Sequence, residues 1–572
     1  MKKIGRIAMD FMKTDTGFSL LSDGVTFDFK SDVTIYEDRG LYKSEVRGNI
    51  PTPEILKGDR IYLPIDEGVV IEADHDYEKA EFNLDDISTP FCGRDGTLCM
   101  IVVERKHKFL LISLTDGTNS SYRLKKEEGI YRLTMEAGEV TTVVYGIFDK
   151  LISACKAYRK IKDMRRVTLD EKIAENPEIK KLSEGAIFWV WSDRAAEVMY
   201  SETNTDVSPK VGEDLLKVAD ELHKNDVENA MFGLFFDDDS YLTESLYKKY
   251  GYIATQYDNY NDILNPELLD FVPNNRVRNC DYVRRRMKDY PDGARKTKDG
   301  ELVNAWALKG FDGKYYAQKS TCPVVAAKRM EDEVSEILRK YPYYKGRFID
   351  VYGCSLADCF DERHPVTRTE CVDVKNRAYE SLKDMGLIVG TEDGFEDIMN
   401  NLAYTEGLHT PVCFRYKDSG RRYMFIQEQE EAEFLNKQML NPRFRVPLWQ
   451  MVNHECVMAF PYWGISTGAT PGALKKRILF ACLYGCPPLY SFTVGNFEKV
   501  KEDVLTSYRA ITEVCKKVAT LPMTDFEVVT DDYLVQRSVF GDKYEIVANF
   551  SEKVYYHGEK EVKPLDFIIE EK

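Results

Sequence analysis

Two short segments decide the predicted fold: Arg347–Gly353, RFIDVYG, and Leu387–Gly394, LIVGTEDG. Each contains an apolar run that leads into acidic residues. The stretch CVDVKNRAYESLKDMG, residues 371–386, lies between them and has the spacing of an amphipathic helix. Apolar strands that alternate with helices are typical of a parallel sheet that is buried on both faces.

The same alternation begins further upstream, with AIFWVWSD (186–193), NAMFGLFFDDDS (229–240) and YIATQYDNYND (252–262). Strands in series that end in acidic or aromatic residues favour a (β/α)8 barrel over a doubly wound sheet. No G-x-G-x-x-G or G-x-x-x-x-G-K-[ST] motif follows these strands, which weakens a dinucleotide or P-loop interpretation. We therefore predict an α/β protein with a TIM-type barrel over residues 186–515.

The regions that flank the barrel have a different pattern. Residues 1–150 contain short alternating runs separated by Asp-Gly and Gly-Asp turns, which indicate an N-terminal β-sandwich. The charged stretch 151–185 is predicted to be a helical connector. Residues 516–572 return to alternating strands and predict a small antiparallel β-domain.

Composition narrows the functional classes. The chain has 572 residues and a formal net charge of −17, which disfavours binding to nucleic acid or to an anionic membrane surface. The amino-terminal residues lack the apolar region of a signal peptide, and no stretch is long enough to span a membrane, so we expect a cytoplasmic protein. A homo-oligomer is left open.

The cysteines do not show the spacing of a metal site. There are 13, an odd number without framework spacing, which is typical of reduced and mostly buried thiols. Cys354-x4-Cys359 and Cys482-x3-Cys486 have no second pair or histidine cluster nearby in the sequence. We expect no cofactor, although a structural calcium ion is left open.

The predicted strand ends carry carboxylates, amides and aromatic rings. No G-x-S-x-G elbow or Ser-His-Asp set is evident, so acyl transfer is disfavoured. Asp350 and Glu392 are predicted at the ends of neighbouring strands, and a pair of carboxyl groups at one rim suits glycosidic cleavage. Asp350 could instead cap the next helix, and Glu392 could be a turn residue.

Further candidates could bind a substrate. Asp258 and Tyr260 combine polar groups and rings that suit hydroxyl recognition, although a surface loop is the alternative. Asp237, Asp238 and Asp239 are interpreted as a solvated turn. VPLWQMV, residues 446–452, is predicted to be a further barrel strand, followed by Asn453, His454 and Glu455. The remaining candidates lie beside predicted strand ends and are Tyr352, Trp449, His454 and Glu455. Trp189, Trp191 and Trp463 are further rings that could stack on a sugar or fill the barrel core.

Four segments in this order, QYDNYND, RFIDVYG, LIVGTEDG and VPLWQMVNHECVMAF, resemble the retaining α-N-acetylgalactosaminidases of glycoside hydrolase families 101 and 129. The resemblance is closer to family 129, which includes intracellular enzymes, and it covers residues 186–492. It implies that Asp350 is the nucleophile, that Glu392 is the acid/base and that Asp258 holds sugar hydroxyls. The implied reaction is double displacement.

The last of these segments departs from the family pattern. The family has a tyrosine, a histidine and an aspartate after V-P-L, whereas this sequence has Asn453, His454 and Glu455. An α-galactoside or another α-hexoside is therefore an alternative substrate.

Two other functional classes are alternatives to a glycosidase: a non-catalytic carbohydrate-binding barrel and a metal-dependent hydrolase. The second lacks support from an H-E-x-x-H motif, which this sequence does not contain. The long insert after residue 262 is interpreted as a lid or rim element.

Overall fold

The computed structural model describes residues 9–80, 82–193, 214–234, 240–273, 285–354, 356–416, 429–462, 466–467 and 472–572. Asp237, Asp238, Asp239 and Trp463 lie outside the described residues, so the structure does not bear on their predicted roles. None of the helices in the described ranges is long and apolar enough to cross a membrane.

The N-terminal part consists of antiparallel strands in two sheets, of which β1–β3 form one and β4–β12 the other. Phe18 and Phe29 of the smaller sheet pack against Tyr145 of the larger one, so the two sheets share a core. The strands are β1 Asp10–Thr14, β2 Gly17–Ser22, β3 Val25–Phe29, β4 Tyr36–Asp38, β5 Leu41–Ile50, β6 Arg60–Leu63, β7 Val69–Glu72, β8 Asp86–Pro90, β9 Met100–Arg105, β10 Lys108–Leu114, β11 Ser120–Glu127 and β12 Ile130–Phe148.

Three helices connect this part to the barrel: α1 Leu151–Lys162, α2 Leu169–Glu175 and α3 Ile179–Ser183. Helix α2 begins with a capping box, in which Thr168 and Glu171 satisfy each other's backbone N–H groups. Lys172 of α2 is buried and donates hydrogen bonds to the carbonyls of Met399, Leu402 and Cys456. The connector is thereby fastened to the amino-terminal side of the barrel strands.

Eight parallel strands form the barrel, and their spatial order follows their order in the chain. They are β13 Ala186–Trp191, β14 Ala230–Leu234, β15 Ile253–Asn259, β19 Tyr344–Asp350, β20 Ile388–Glu392, β21 Tyr404–Glu406, β22 Met458–Phe460 and β23 Leu489–Thr493. Strand β13 pairs with β23, whereas no backbone pairing among the described residues joins β22 to β23. The barrel is therefore nearly closed.

Helices surround the barrel, and an insert follows its third strand. The insert contains a small antiparallel sheet of β16 Asp262–Ile263, β17 Asn304–Lys309 and β18 Tyr315–Ser320. The helices are α4 Asp214–Lys224, α5 Ser240–Ser245 with a π-turn over Leu246–Tyr250, α6 Pro323–Lys340, α7 Arg368–Asp384, α8 Gln429–Lys437, α9 Leu448–Asn453, α10 Leu474–Tyr484 and α11 Phe497–Val518. Short 3-10 helices cover Pro266–Asp270, Met287–Asp289, Glu396–Asn401, Val412–Phe414 and Val494–Asn496.

The side chains of the barrel strands alternate between two cores, as the pleat requires. Trp189, Phe348 and Tyr404 belong to the core inside the barrel. Phe188 and Phe232 belong to a second core between the strands and the helices. This alternation decides which residues at the strand ends can face the barrel mouth.

One predicted strand is wrong. The segment VPLWQMV forms the buried helix α9, and the strand β22 begins only at Met458. A short apolar run has the same pattern in a buried helix as in a buried strand, so periodicity could not separate the two.

The chain ends in a small antiparallel domain after α11. It contains β24 Met523–Val528, β25 Val535–Phe540, β26 Tyr544–Asn549, β27 Tyr555–His557, β28 Lys560–Val562 and β29 Asp566–Glu571. Strands β24, β25, β26 and β29 form one sheet, and β27 and β28 form a hairpin. The predicted fold class, a TIM-type barrel between two β-rich parts, is confirmed. The exact domain boundaries stay a prediction.

Candidate active site

Three carboxyl groups meet at the carboxyl ends of adjacent barrel strands. Ile349 of β19 is in register with Thr391 of β20, so Asp350 and Glu392 follow at the same level. Glu392 is in turn the register partner of Glu406 on β21. Neighbouring strands are about 4.8 Å apart, so the register places the three acids side by side.

Asp350 is held by two donors from β15. The Tyr257 hydroxyl donates to Asp350 Oδ2 over 2.6 Å, and the Asn259 side-chain amide donates to the same oxygen over 3.3 Å. Asn259 is the register partner of Asp350, which explains why its amide reaches that oxygen. The other oxygen, Oδ1, is buried and receives no hydrogen bond from the described residues.

Asp350 and Glu392 perturb each other. Burial raises the pKa of Asp350 well above its ordinary value, and the neighbouring charge of Glu392 raises it further. Burial also raises the pKa of Glu392, although the Arg415 guanidinium opposes this. The strand register places the two carboxyl groups side by side, so a negative charge on one disfavours ionisation of the other. The two groups are therefore expected to lose their protons one after the other rather than together.

Glu392 is positioned by a strained turn after β19. Val351 has a φ of 62°, a left-handed conformation that is rare for a β-branched residue. This turn directs the Val351 N–H group to Glu392 Oε2 at 3.2 Å. Strain of this kind persists where the surrounding structure fixes it, and it often does so at functional sites.

Glu406 supplies the third carboxyl group. Its Oε2 atom accepts a hydrogen bond from Trp189 Nε1 over 2.9 Å, across the barrel interior. Burial raises the pKa of Glu406 well above its ordinary value, and the side chain is 1% exposed. A protonated Glu406 can both donate and accept a hydrogen bond at the barrel mouth.

The N-terminal part completes the rim near Glu392. Asp66 follows β6 and accepts a hydrogen bond from the Val412 N–H group over 2.5 Å. Burial, followed by the charges of Asp393 and Asp95, raises the pKa of Asp66. Arg415 interacts with Asp66, Asp393 and Glu392, and its guanidinium lies 3.9 Å from the Tyr462 ring centre. One cation thus balances several buried acids.

Asp258 is not placed with the pair. It follows Tyr257 on β15, so it points to the opposite side of the strand. Its two oxygens bind the guanidinium groups of Arg286 and Arg347, both of which are buried. Burial alone would raise the pKa of Asp258, but the two arginine charges outweigh it and hold the pKa below its ordinary value. The predicted substrate-binding carboxylate is thus engaged in a buried ion-pair network.

Tyr260 and Tyr352 also pack in the protein interior. Tyr260 is fully buried, and the Arg286 guanidinium lies 4.3 Å from its ring centre. Tyr352 is 2% exposed, its hydroxyl donates to the Pro323 carbonyl over 3.4 Å, and Lys375 lies over its ring. Both rings face the helix layer, away from Asp350 and Glu392.

Trp449, His454 and Glu455 lie on the far side of the barrel. Trp449 is a buried residue of α9. The His454 ring nitrogens lie 2.7 Å from the Leu521 carbonyl and 3.2 Å from the Gly485 carbonyl. Glu455 pairs with Arg159 of α1 at 2.6 Å. His454 and Glu455 precede β22, so they stand at the amino ends of parallel strands whose carboxyl ends hold Asp350.

Sequence reasoning did not identify Glu406 or Arg415. The strand that carries Glu406 is only three residues long, too short for a periodicity argument. A usable signal was the repeated Thr-Glu dipeptide, Thr391-Glu392 and Thr405-Glu406, which the structure aligns on adjacent strands. Nothing in the sequence pattern marks Arg415.

A family model described as glycosyl hydrolases related to the GH101 family, GH129, matches residues 221–422 and 414–539. These ranges cover more than half of the chain. The chain belongs to glycoside hydrolase family 129. The family expected from the four segments is therefore confirmed, and the protein is a glycoside hydrolase. No curated protein sequence matches the chain.

Solved structures share the fold of this family 129 member. The ligand-free α-N-acetylgalactosaminidase NagBb from Bifidobacterium bifidum is 17% identical, with a TM-score of 0.66 over 95% of this chain and 90% of that one. The complex of NagBb with GalNAc is 15% identical, with a TM-score of 0.63 over the same shares. At this identity the likeness establishes the fold alone.

The ion pairs of Asp258 predict that this residue contributes to the stability of the fold. In Asp258→Asn, two buried guanidinium groups lose their counter-charge, so we expect the free energy of unfolding to fall by about 3–5 kcal/mol. Urea denaturation measures this change. The control is Asp531→Asn, which alters an exposed aspartate of the C-terminal part. An Asp258→Asn protein with unchanged stability and a weakened affinity for substrate would contradict the structural role.

Proposed function

We propose that this protein is a retaining glycoside hydrolase that releases terminal α-linked N-acetylgalactosamine by double displacement. The observation that carries the proposal is the Asp350–Glu392 pair, two carboxyl groups at the same level of adjacent strands, both with pKa values that burial raises. A retaining enzyme needs one ionised and one protonated carboxyl group about 5–5.5 Å apart, and adjacent strand ends suit that spacing.

In the first step, Asp350 attacks the anomeric carbon while Glu392 protonates the departing oxygen. Tyr257 and Asn259 hold Asp350 Oδ2, so Oδ1 is the oxygen that is available for attack. Their two hydrogen bonds also stabilise the ionised carboxylate. The proposal requires Glu392 to hold the proton when the substrate binds, and burial raises the pKa of Glu392 in that direction.

In the second step, a water molecule attacks the glycosyl–Asp350 ester. Glu392, now ionised, takes the proton from this water, and the sugar leaves with its original configuration. The Arg415 guanidinium stabilises the ionised form of Glu392 between the two steps. The proton that Glu392 gave to the aglycone is thereby recovered from water.

Glu406 and Trp189 are proposed to contribute to sugar binding. Glu406 Oε1 is buried beside Glu392 and receives no hydrogen bond from the described residues, so it can accept one from a sugar hydroxyl. The Trp189 N–H group fixes the orientation of the Glu406 carboxyl. Trp189 therefore supports the site through Glu406 rather than by stacking on the sugar.

The identity of the sugar is supported by the relatives. NagBb is named as an α-N-acetylgalactosaminidase, and its structure has been solved with GalNAc. We extend this substrate class to the present chain. An α-galactoside stays the alternative, because residues 453–455 depart from the family pattern. Their distance from Asp350 weakens that objection, since they do not line the barrel mouth.

We further propose that the enzyme works in a reducing compartment such as the cytoplasm. All cysteines among the described residues are free, and nearly all are buried. Reduced thiols of this kind are typical of cytosolic proteins. A carbohydrate is the expected partner, whereas oligomerisation stays a prediction.

Replacing either carboxyl group tests the assignment. On p-nitrophenyl α-N-acetylgalactosaminide, Asp350→Asn should lower kcat by about 10³-fold, because the nucleophile is lost. Glu392→Gln should lose more activity on a substrate with a poor leaving group than on this activated one, because only the former needs protonation. NMR of the first product should show the α-anomer.

The matched control is Asp531→Asn, which should keep wild-type kinetics. A p-nitrophenyl α-galactoside measured in parallel tests the sugar. Faster turnover of the galactoside would overturn the N-acetylgalactosamine assignment, and a β-anomer as the first product would overturn retention.

The hydrogen bond from Tyr257 predicts a shift of the pH profile. This bond lowers the pKa of Asp350, so its loss in Tyr257→Phe raises that pKa. Because Asp350 must be ionised to attack, the acidic limb of kcat/KM should move to higher pH by about one unit. Tyr490→Phe is the control, since its hydroxyl bonds to Ser507 outside the barrel. An unchanged acidic limb in Tyr257→Phe would contradict the role of Asp350.

A further inference from the structure

Two cysteines and a histidine lie close together where the loop after β19 meets the start of α6. Cys322 directly precedes α6, and Cys359 and His364 belong to the loop that connects β19 to α7. We call these three residues the Cys–His cluster. Both cysteines are buried, and the histidine side chain is 10% exposed. The sequence could not reveal the cluster, because Cys322 is far from Cys359 along the chain.

The distances within the cluster match those of a tetrahedral metal site. One donor atom from each residue lies within 4.8 Å of the other two, and Cys359 Sγ lies 3.5 Å from His364 Nδ1. Zinc binds cysteine sulfur at about 2.3 Å and histidine nitrogen at about 2.0–2.1 Å, so a tetrahedral angle separates the two ligand atoms by about 3.5 Å.

The histidine is oriented as a metal ligand is. His364 Nε2 lies 2.8 Å from the Asp292 carbonyl oxygen, which can only accept a hydrogen bond. The proton therefore resides on Nε2, and the lone pair of Nδ1 points toward Cys359. Metal-binding histidines usually donate their second ring N–H to such a carbonyl or carboxylate.

The backbone around the cluster is also fixed. Cys359 and Val366 exchange both backbone hydrogen bonds, at 2.7 and 3.0 Å, which closes the loop that carries His364. Cys322 Sγ lies 3.2 Å from the His364 carbonyl oxygen, so the start of α6 packs against that loop. The three donor groups are thus held before any ion binds.

Two other groups of potential ligands in the described part of the chain already contain a cation. Cys92, Cys99 and Asp397 surround Lys162, whose Nζ atom lies 3.2 Å from Asp397 Oδ2. Glu67 and His409, which form a group with Cys486, bind Arg445. In contrast, no lysine or arginine described here hydrogen-bonds to the donor atoms of the Cys–His cluster.

We propose that Cys322, Cys359 and His364 bind a zinc ion. Two sulfur ligands and one imidazole match the preference of Zn²⁺ and disfavour Mg²⁺ or Ca²⁺, which prefer oxygen ligands. The fourth position is taken by water. Binding releases the thiol protons to solvent and involves no redox step.

The ion would stabilise the loop that positions the catalytic pair. This loop begins with Val351, whose N–H group contacts Glu392, and it runs on to Cys359 and His364. A bound ion ties the loop to the first turn of α6, so its removal should lower thermal stability. The proposal does not depend on the identity of the sugar, because metal binding is read without substrate.

The test uses the full-length protein without an affinity tag, stripped of metal by a chelator and kept reduced with a phosphine. One equivalent of Zn²⁺ should bind, as measured by mass spectrometry of metal content after gel filtration. Co²⁺ in its place should give thiolate charge-transfer absorption in the near ultraviolet and the visible d–d bands of a tetrahedral site.

Cys322→Ser and His364→Gln should each lower the bound metal at least tenfold. Serine is a favourable residue at the start of a helix, so Cys322→Ser should keep α6 intact. The matched control is Cys515→Ser, a buried cysteine of α11, which should still bind one equivalent.

Three results would overturn the proposal. The first is reduced, folded wild-type protein that binds less than about a tenth of an equivalent of zinc, a threshold set by the stoichiometry of one site. The second is equal metal binding by wild type and Cys322→Ser. The third is a Cys322–Cys359 disulfide as the resting state of protein whose thiols were blocked at cell lysis.

Discussion

The parallel register of β19, β20 and β21 is the constraint on which the site depends. It places Asp350, Glu392 and Glu406 at one level of the barrel, where burial raises the pKa of all three. Three ionised carboxylates so close together would repel each other strongly in a region of low dielectric. Hydrogen-bond donors and a cation from neighbouring elements reduce this repulsion. Those donors, Tyr257, Asn259, Trp189 and Arg415, come from β15, β13 and the loop after β21.

The N-terminal part contributes to the same electrostatic balance. Asp66 and Glu67 lie in the turn between β6 and β7, and both contact the barrel: Asp66 binds the Val412 N–H group, and Glu67 pairs with His409 and Arg445. Buried ion pairs are costly to break, so this turn is fixed against the barrel rim. The N-terminal part therefore forms part of the rim around the candidate site.

The sequence was sufficient for the barrel, for the family and for Asp350 and Glu392 as candidates, because apolar runs that end in acids are a direct sign of parallel strand ends. The sequence does not show which way a side chain points at the end of a strand. Tyr257 and Asp258 are adjacent and both polar, and only the pleat shows that the tyrosine faces Asp350 while the aspartate binds two arginines. The pattern predicts His454 and Glu455 at a strand end only because the apolar segment that forms α9 has the same composition as a buried strand. Contacts between distant segments, such as Trp189 with Glu406, follow from barrel closure, which no local pattern encodes.

The most direct test of the central claim is to trap the intermediate. A 5-fluoro α-N-acetylgalactosaminyl fluoride slows the second displacement, so a glycosyl ester should accumulate on the nucleophile. Peptide mass spectrometry should then find the added sugar mass on the peptide that contains Asp350, and Asp350→Asn should remain unlabelled. Labelling of another carboxylate, or slow turnover with no covalent adduct, would contradict the assignment of Asp350 as the nucleophile of a double displacement.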